Sequence, residues 1–172
     1  DGPAKYHDRY RVYAGGAPTH AKVMDTLRML EQQRVEFNVL SVVNDVTGDH
    51  AAEIYEYLLS EGFRFLQFIP CVEVDPRTGR ITDFSVGPEQ YGNFLCELFD
   101  VWYNHGNPQA SIRDFEAFLA IYLGQEPPMC SYQKEGGSYL VVEYNGDLYP
   151  CDFLVRDDLA ELYNLVGAFE EQ

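Results

Sequence analysis

Glu36-Phe37-Asn38-Val39-Leu40-Ser41-Val42-Val43 and Phe63-Arg64-Phe65-Leu66-Gln67-Phe68-Ile69 are the two stretches whose reading decides the fold. The first is β-rich and apolar on both faces, the signature of a buried parallel strand. The second reads as another strand, and Pro70 ends it. Helical patterns flank both. Across residues 19–33, Val23, Leu27 and Leu30 fall at i, i+4 and i+7 with Met24 beside them. Thr19 is the expected N-cap. Asp49 is expected to cap a second helix, with Ile54 and Leu58 on one face and Gly62 as its stop. The order helix, strand, helix, strand predicts right-handed βαβ crossovers and a parallel sheet. Two strands make no stable sheet by themselves. The expectation is therefore a further strand before residue 1, and a chain that lacks its N-terminal part.

Residues 71–87 read as a loop, with turn signals at Asp75-Pro76 and Thr78-Gly79. Pro88 suits the first position of a helix that keeps apolar spacing up to Gly106. Cys96 falls inside that pattern and reads as a small core residue. A further helix is expected from about Ser111, closed by Gly124 and Pro127-Pro128. The architecture then changes. Residues 138–144 form a strand, Asn145-Gly146 signals a hairpin turn with positive φ at both positions, and Asp147-Leu148-Tyr149 returns.

Of the 172 residues, 46% are hydrophobic and 15% aromatic, which excludes a disordered tail. The net charge of -16 repels phosphate backbones, so nucleic acid is not an expected partner. No apolar run approaches the ~20 residues of a membrane helix, and no secretory signal is visible. Four cysteines, Cys71, Cys96, Cys130 and Cys151, stand in a chain too long and too apolar to need disulfide staples. A cytoplasmic location is the expectation.

Chemistry gathers late in the chain. Cys151 stands where a hairpin strand runs out, and Cys130 precedes the hairpin by a loop. Thiolates placed so ligate zinc or an iron–sulfur cluster; two structural cysteines are the alternative. Asp152 is either a general base beside that site or an exposed turn residue. At the other end, His7, Asp8, Arg9 and Arg11 follow Asp1-Gly2-Pro3. They either hold an anionic ligand group beyond a strand end or form a solvated loop. Gln67 is the one polar residue on its face of an apolar strand. Burying an unpaired amide costs roughly 1–3 kcal/mol, so a ligand or a neighbouring backbone group must bond it.

Taken together, these runs resemble the radical S-adenosylmethionine (SAM) anaerobic sulfatase-maturating enzymes, a SPASM-containing family. The matching stretches are Asp-Gly-Pro with His-Asp-Arg-Tyr-Arg at 1–11, Val-Glu-Phe-Asn-Val-Leu-Ser-Val-Val-Asn at 35–44 and Phe-Leu-Gln-Phe-Ile-Pro at 65–70. Pro-Glu-Gln-Tyr-Gly at 88–92, Ser-Ile-Arg-Asp-Phe-Glu at 111–116 and Asn-Gly-Asp-Leu-Tyr-Pro-Cys-Asp-Phe at 145–153 follow. The last is the most specific.

The resemblance implies an α/β fold: a partial (β/α)6 TIM-like barrel, then two helices and a β-hairpin opening a SPASM-type cap. Its expected limits are 1–106 for the C-terminal part of the barrel, 107–129 for a connecting helix and 130–172 for the start of the cap. It also implies SAM and [4Fe-4S] clusters as cofactors, a sulfatase polypeptide as substrate and a reductive electron donor. Family members cleave SAM and oxidise a Cys or Ser of the sulfatase to Cα-formylglycine. Carried over by position, Cys130 and Cys151 are ligands of an auxiliary cluster and Asp152 is the base. Arg11 and Val72 are SAM contacts, and Gln67 faces the substrate cavity. Gly136 stands where the family has a further cluster cysteine, and no Cys-x-x-x-Cys-x-x-Cys run is present. The chain alone is therefore expected to be inactive. The alternatives are another SPASM peptide maturase or a degenerate, non-catalytic relative that binds a peptide or partner.

Overall fold

The computed structural model describes residues 1–134 and 140–155, the Phe153 side chain excepted. The chain divides into two compact units, Asp1–Glu116 and Ala117–Gln172.

In the first unit the helices α1 (Ala4–Tyr10), α2 (His20–Gln32), α3 (Ala51–Ser60) and α4 (Pro88–Tyr103) alternate with the strands β1 (Val39–Val43), β2 (Phe65–Pro70) and β3 (Ser111–Ile112). Helix α5 (Arg113–Tyr122) follows directly. The strands form one parallel sheet in the order β1-β2-β3. β3 corrects the expectation of a helix from Ser111. The Ser111 N–H donates to the Arg64 carbonyl at 2.7 Å, and Ile112 pairs with Leu66. Two residues carry no alternation, so the sequence offers no strand signal there. With β3 in the sheet, α4 becomes a crossover helix between parallel strands.

Register sets the two faces. Ser41 lies beside Phe68, and both are buried with Val43 and Leu66 on one face. Phe68 meets Phe94 of α4 with ring centroids 5.5 Å apart, and Ile54, Leu58 and Leu98 complete this core. Leu40 lies beside Gln67 and Val42 beside Ile69 on the other face. Here Leu40 is 54% exposed and Phe65 58%. The expected burial of both faces thus holds for one face among the described residues. The other presents apolar side chains on an open surface.

Local chemistry explains the helix limits, with some changes from expectation. Asp49 does not cap α3, whose N-cap is His50 without a side-chain bond. The turn belongs to Asn44 instead, whose Oδ1 accepts the Val46 and Thr47 N–H groups at 2.9 and 3.0 Å. Thr19 is the N-cap of α2, yet its side chain makes no capping bond. Asp8 takes that role from α1, accepting the Thr19 and His20 N–H groups at 2.9 Å each. Gly62 does end α3, with φ at +94°, a conformation that glycine adopts without steric cost. Cys96 is exposed, which corrects its placement in the core. Phe94 and Leu98, four apart, take the buried stripe of α4, and the residue midway between them faces away.

In the second unit α5 finishes, and Gly124 follows at φ +70°. A short 3-10 turn at Cys130–Tyr132 precedes an antiparallel hairpin of β4 (Val141–Val142) and β5 (Leu148–Tyr149). Gly146 alone has positive φ in the connection. The Gly146 N–H bonds the Glu143 carbonyl, and the Glu143 N–H bonds the Asp147 carbonyl. This is a three-residue loop with a bulge at glycine, rather than a turn with positive φ at both Asn145 and Gly146. A last 3-10 turn covers Asp152–Leu154. Gly136 and the chain beyond residue 155 lie outside the described residues.

Candidate functional site at the strand ends and the hairpin base

Arg11 is the C-cap residue of α1. Its Nε donates to Asp1 Oδ2 at 2.9 Å, and Asp1 Oδ1 accepts the Val42 N–H at 2.9 Å. The guanidinium is thereby tethered near the C-terminal end of β1 while staying half exposed. Beyond β1, Asp45 accepts a hydrogen bond from the Tyr10 hydroxyl at 3.0 Å, and the Tyr10 ring leans on Phe84. Beyond β2, the Cys71 N–H bonds the Val43 carbonyl at 2.7 Å, and the Cys71 carbonyl accepts from Val86. Val72 follows at 59% exposure.

Electrostatics tie these ends together. Burial pushes the Cys71 thiol above its ordinary pKa, Glu73 and Asp45 add to that, and Arg11 opposes it. Arg11 and Val72 thus share the C-terminal edge of the sheet, where ligands bind in parallel α/β folds. Gln67 lies lower on the open face, half-buried beside Leu40.

Beneath Arg11 lies a polar lattice. The Thr19 hydroxyl donates to the Arg11 carbonyl at 2.6 Å, and His7 Nε2 lies 3.0 Å from the same hydroxyl. Burial, first, holds the His7 pKa down to about 4. His20 Nε2 lies 3.0 Å from the Tyr57 hydroxyl. These groups border a cavity of about 370 Å³ that Met24, Leu27 and Leu58 floor with apolar surface.

In the second unit, Cys130 and Cys151 are both half-buried and in no disulfide. Cys151 precedes the Asp152–Leu154 turn, whose Leu154 N–H bonds the Cys151 carbonyl at 3.0 Å. Cys151 Sγ donates to Asp152 Oδ1 at 3.5 Å, and the Asp152 side chain is exposed. A thiol and a carboxylate at the end of a hairpin strand can bind a soft metal centre and accept a proton beside it. Among the described residues, no three His, Cys, Asp or Glu side chains form a metal-binding group. Two thiols are half of the four that an iron–sulfur cluster takes.

Sequence reading missed Asp1, Thr19 and Asp45 as partners at the strand ends. Asp1 contacts residues ten and forty-one positions away, and no local pattern signals pairing at such separations.

The chain is 36% identical over 169 residues to the serine-type anaerobic sulfatase-maturating enzyme of Bacteroides thetaiotaomicron, covering 90% of this chain and 41% of that protein. It is 38% identical over 176 residues to the cysteine-type anaerobic sulfatase-maturating enzyme of Clostridium novyi, covering 100% and 45%. This chain is similar to anaerobic sulfatase-maturating enzymes. A solved structure described as native anSMEcpe with bound AdoMet and Cp18Cys peptide matches with a TM-score of 0.82 at 34% identity, over 96% of this chain and 45% of that one. The chain therefore spans less than half the length of the sulfatase-maturating enzymes it matches. Its mixed α/β structure follows theirs along nearly its whole length. No protein-family model matches the chain. Among the described residues, no helix is long and apolar enough to cross a membrane.

Proposed function

We propose that the protein carrying this segment is a radical SAM oxidoreductase that matures a sulfatase by oxidising a Cys or Ser to Cα-formylglycine. One observation carries the reading. The similarity to sulfatase-maturating enzymes covers the whole of this chain for a cysteine-type relative and 90% of it for a serine-type one. On this reading residues 1–106 are the C-terminal part of a partial (β/α)6 barrel, 107–129 a connecting helix and 130–172 the start of a SPASM-type cap. The open face with Leu40, Val42, Gln67 and Ile69 is then the barrel interior. That accounts for apolar side chains on an uncovered surface.

SAM and an iron–sulfur cluster would supply, when bound, the radical chemistry that removes a hydrogen from the target side chain, and the chain has no Cys-x-x-x-Cys-x-x-Cys run to hold that cluster. Arg11 holds the carboxylate of SAM by charge-assisted hydrogen bonding, and Val72 packs against it at the end of β2. Gln67 projects from the same face toward the peptide. Cys130 and Cys151 give two thiolates to an auxiliary [4Fe-4S] cluster, and Asp152 accepts the proton of the target thiol or hydroxyl. An external donor supplies the electrons, and the cytoplasm is the compartment. A degenerate, non-catalytic relative is the second reading, favoured by one residue, because Gly136 cannot ligate iron.

The full-length protein, purified and reconstituted without oxygen, is expected to hold iron and sulfide and to cleave SAM on reduction. A protein that stays iron-free after reconstitution overturns the enzyme reading and leaves the second.

A further inference from the structure

Arg11 is held at both ends, and the bonds that hold its main chain have a fixed direction. Its carbonyl can only accept, so the Thr19 hydroxyl, 2.6 Å away, spends its single proton there. Thr19 Oγ1 must then accept from His7, and the 3.0 Å contact to Nε2 makes that nitrogen the protonated one. His7 Nδ1 is left as an acceptor, and the Asp1 nitrogen, a donor, stands 3.1 Å from it. With the ring neutral, Asp1 N–H donates to His7, His7 donates to Thr19 and Thr19 donates to the Arg11 carbonyl. The neutral ring this requires agrees with the lowered pKa of the buried imidazole. The side-chain end of Arg11 is fixed by Asp1 Oδ2, itself anchored through Oδ1 to the β1 backbone. Asp8 fixes Thr19 in turn by accepting its N–H at 2.9 Å. Where the chain leaves α1, this lattice replaces the helical bonds that no longer continue.

We infer that His7 and Thr19 are positioning residues that set the place of Arg11, and through it the affinity for the carboxylate of SAM. The inference rests on the reading of Arg11 as a SAM contact. It adds two residues that touch neither SAM nor substrate.

The test uses the full-length, anaerobically reconstituted protein and SAM itself as the probe. Thr19→Val keeps the side-chain shape and removes the donor, leaving the Arg11 carbonyl and the His7 N–H unpaired. It is expected to weaken SAM binding about tenfold, roughly the effect of losing one hydrogen bond at the upper end of the usual range. Iron content and KM for the sulfatase peptide are expected to stay as in the parent. Thr19→Ser restores the hydroxyl and is expected to bring SAM affinity back to within about twofold of the parent. Thr19→Val with unchanged SAM affinity overturns the inference. So does a parallel loss of SAM affinity, peptide affinity and iron, which would mark a purely structural role. Arg11→Lys separates the two levels of the argument. If it leaves SAM binding intact, the Arg11 assignment falls and the positioning role falls with it. If it weakens SAM binding while Thr19→Val does not, the positioning role alone is wrong.

Discussion

At the scale of single residues, the chemistry turns on which side chains stand beside which. Cys151 and Asp152 were legible as a pair because they are adjacent in sequence, and the structure puts their side chains 3.5 Å apart. Arg11 was legible, with His7, Asp8 and Arg9, as part of a group beyond a strand end that could hold an anion. Its partner Asp1 was not, because their contact depends on the fold of the intervening helix. On the proposed reading Asp152 accepts a proton, and that role is expected to be separable from cluster binding. Asp152→Asn should leave iron and sulfide content unchanged and slow peptide oxidation by about a hundredfold or more, within the usual range for losing a general base. Iron content by colorimetry and turnover by product formation check it. Unchanged turnover removes Asp152 from the mechanism.

At the scale of elements, β1, β2 and α3 were readable from apolar runs and from Gly62, since strand and helix periods differ and only glycine sits easily at φ +94°. β3 was not readable, because two residues show no period. The caps were misread for a related reason. Asp49 and the Thr19 side chain were judged by sequence proximity, while the start of α2 is capped by Asp8 from the preceding helix and α3 starts at His50 with no side-chain cap. The α1–α2 junction built this way has a pH signature. Burial holds His7 at about 4 in the folded protein, against about 6.5 for a free histidine. The unfolded chain therefore binds the proton first. The contribution of neutral His7 is complete above about pH 6.5 and is lost as pH falls toward 4. The Asp1 amino group, Asp8, His20 and Arg11 are the charged neighbours. The melting-temperature gap between the parent and His7→Gln is expected to be widest above pH 7 and to narrow steadily toward pH 4.5. A gap that widens in acid would mean that His7 is protonated in the fold.

At the scale of the whole molecule, the parallel sheet was predictable from the order of its elements, and its one-sidedness was not. Apolar residues on both faces of β1 and β2 suggested burial on both, yet Leu40 and Phe65 are more than half exposed. A sequence records which face is apolar but not what covers it. In a barrel the covering is the rest of the barrel and its ligands. The chain spans under half of the proteins it resembles. The product made by the full-length protein therefore decides the proposed function. Mass spectrometry of a sulfatase peptide, incubated anaerobically with that protein, SAM and a reductant, tests it most directly. The account predicts conversion of the target Cys or Ser to formylglycine together with release of 5′-deoxyadenosine. Release of 5′-deoxyadenosine with both the Cys and the Ser peptide left unmodified would contradict it.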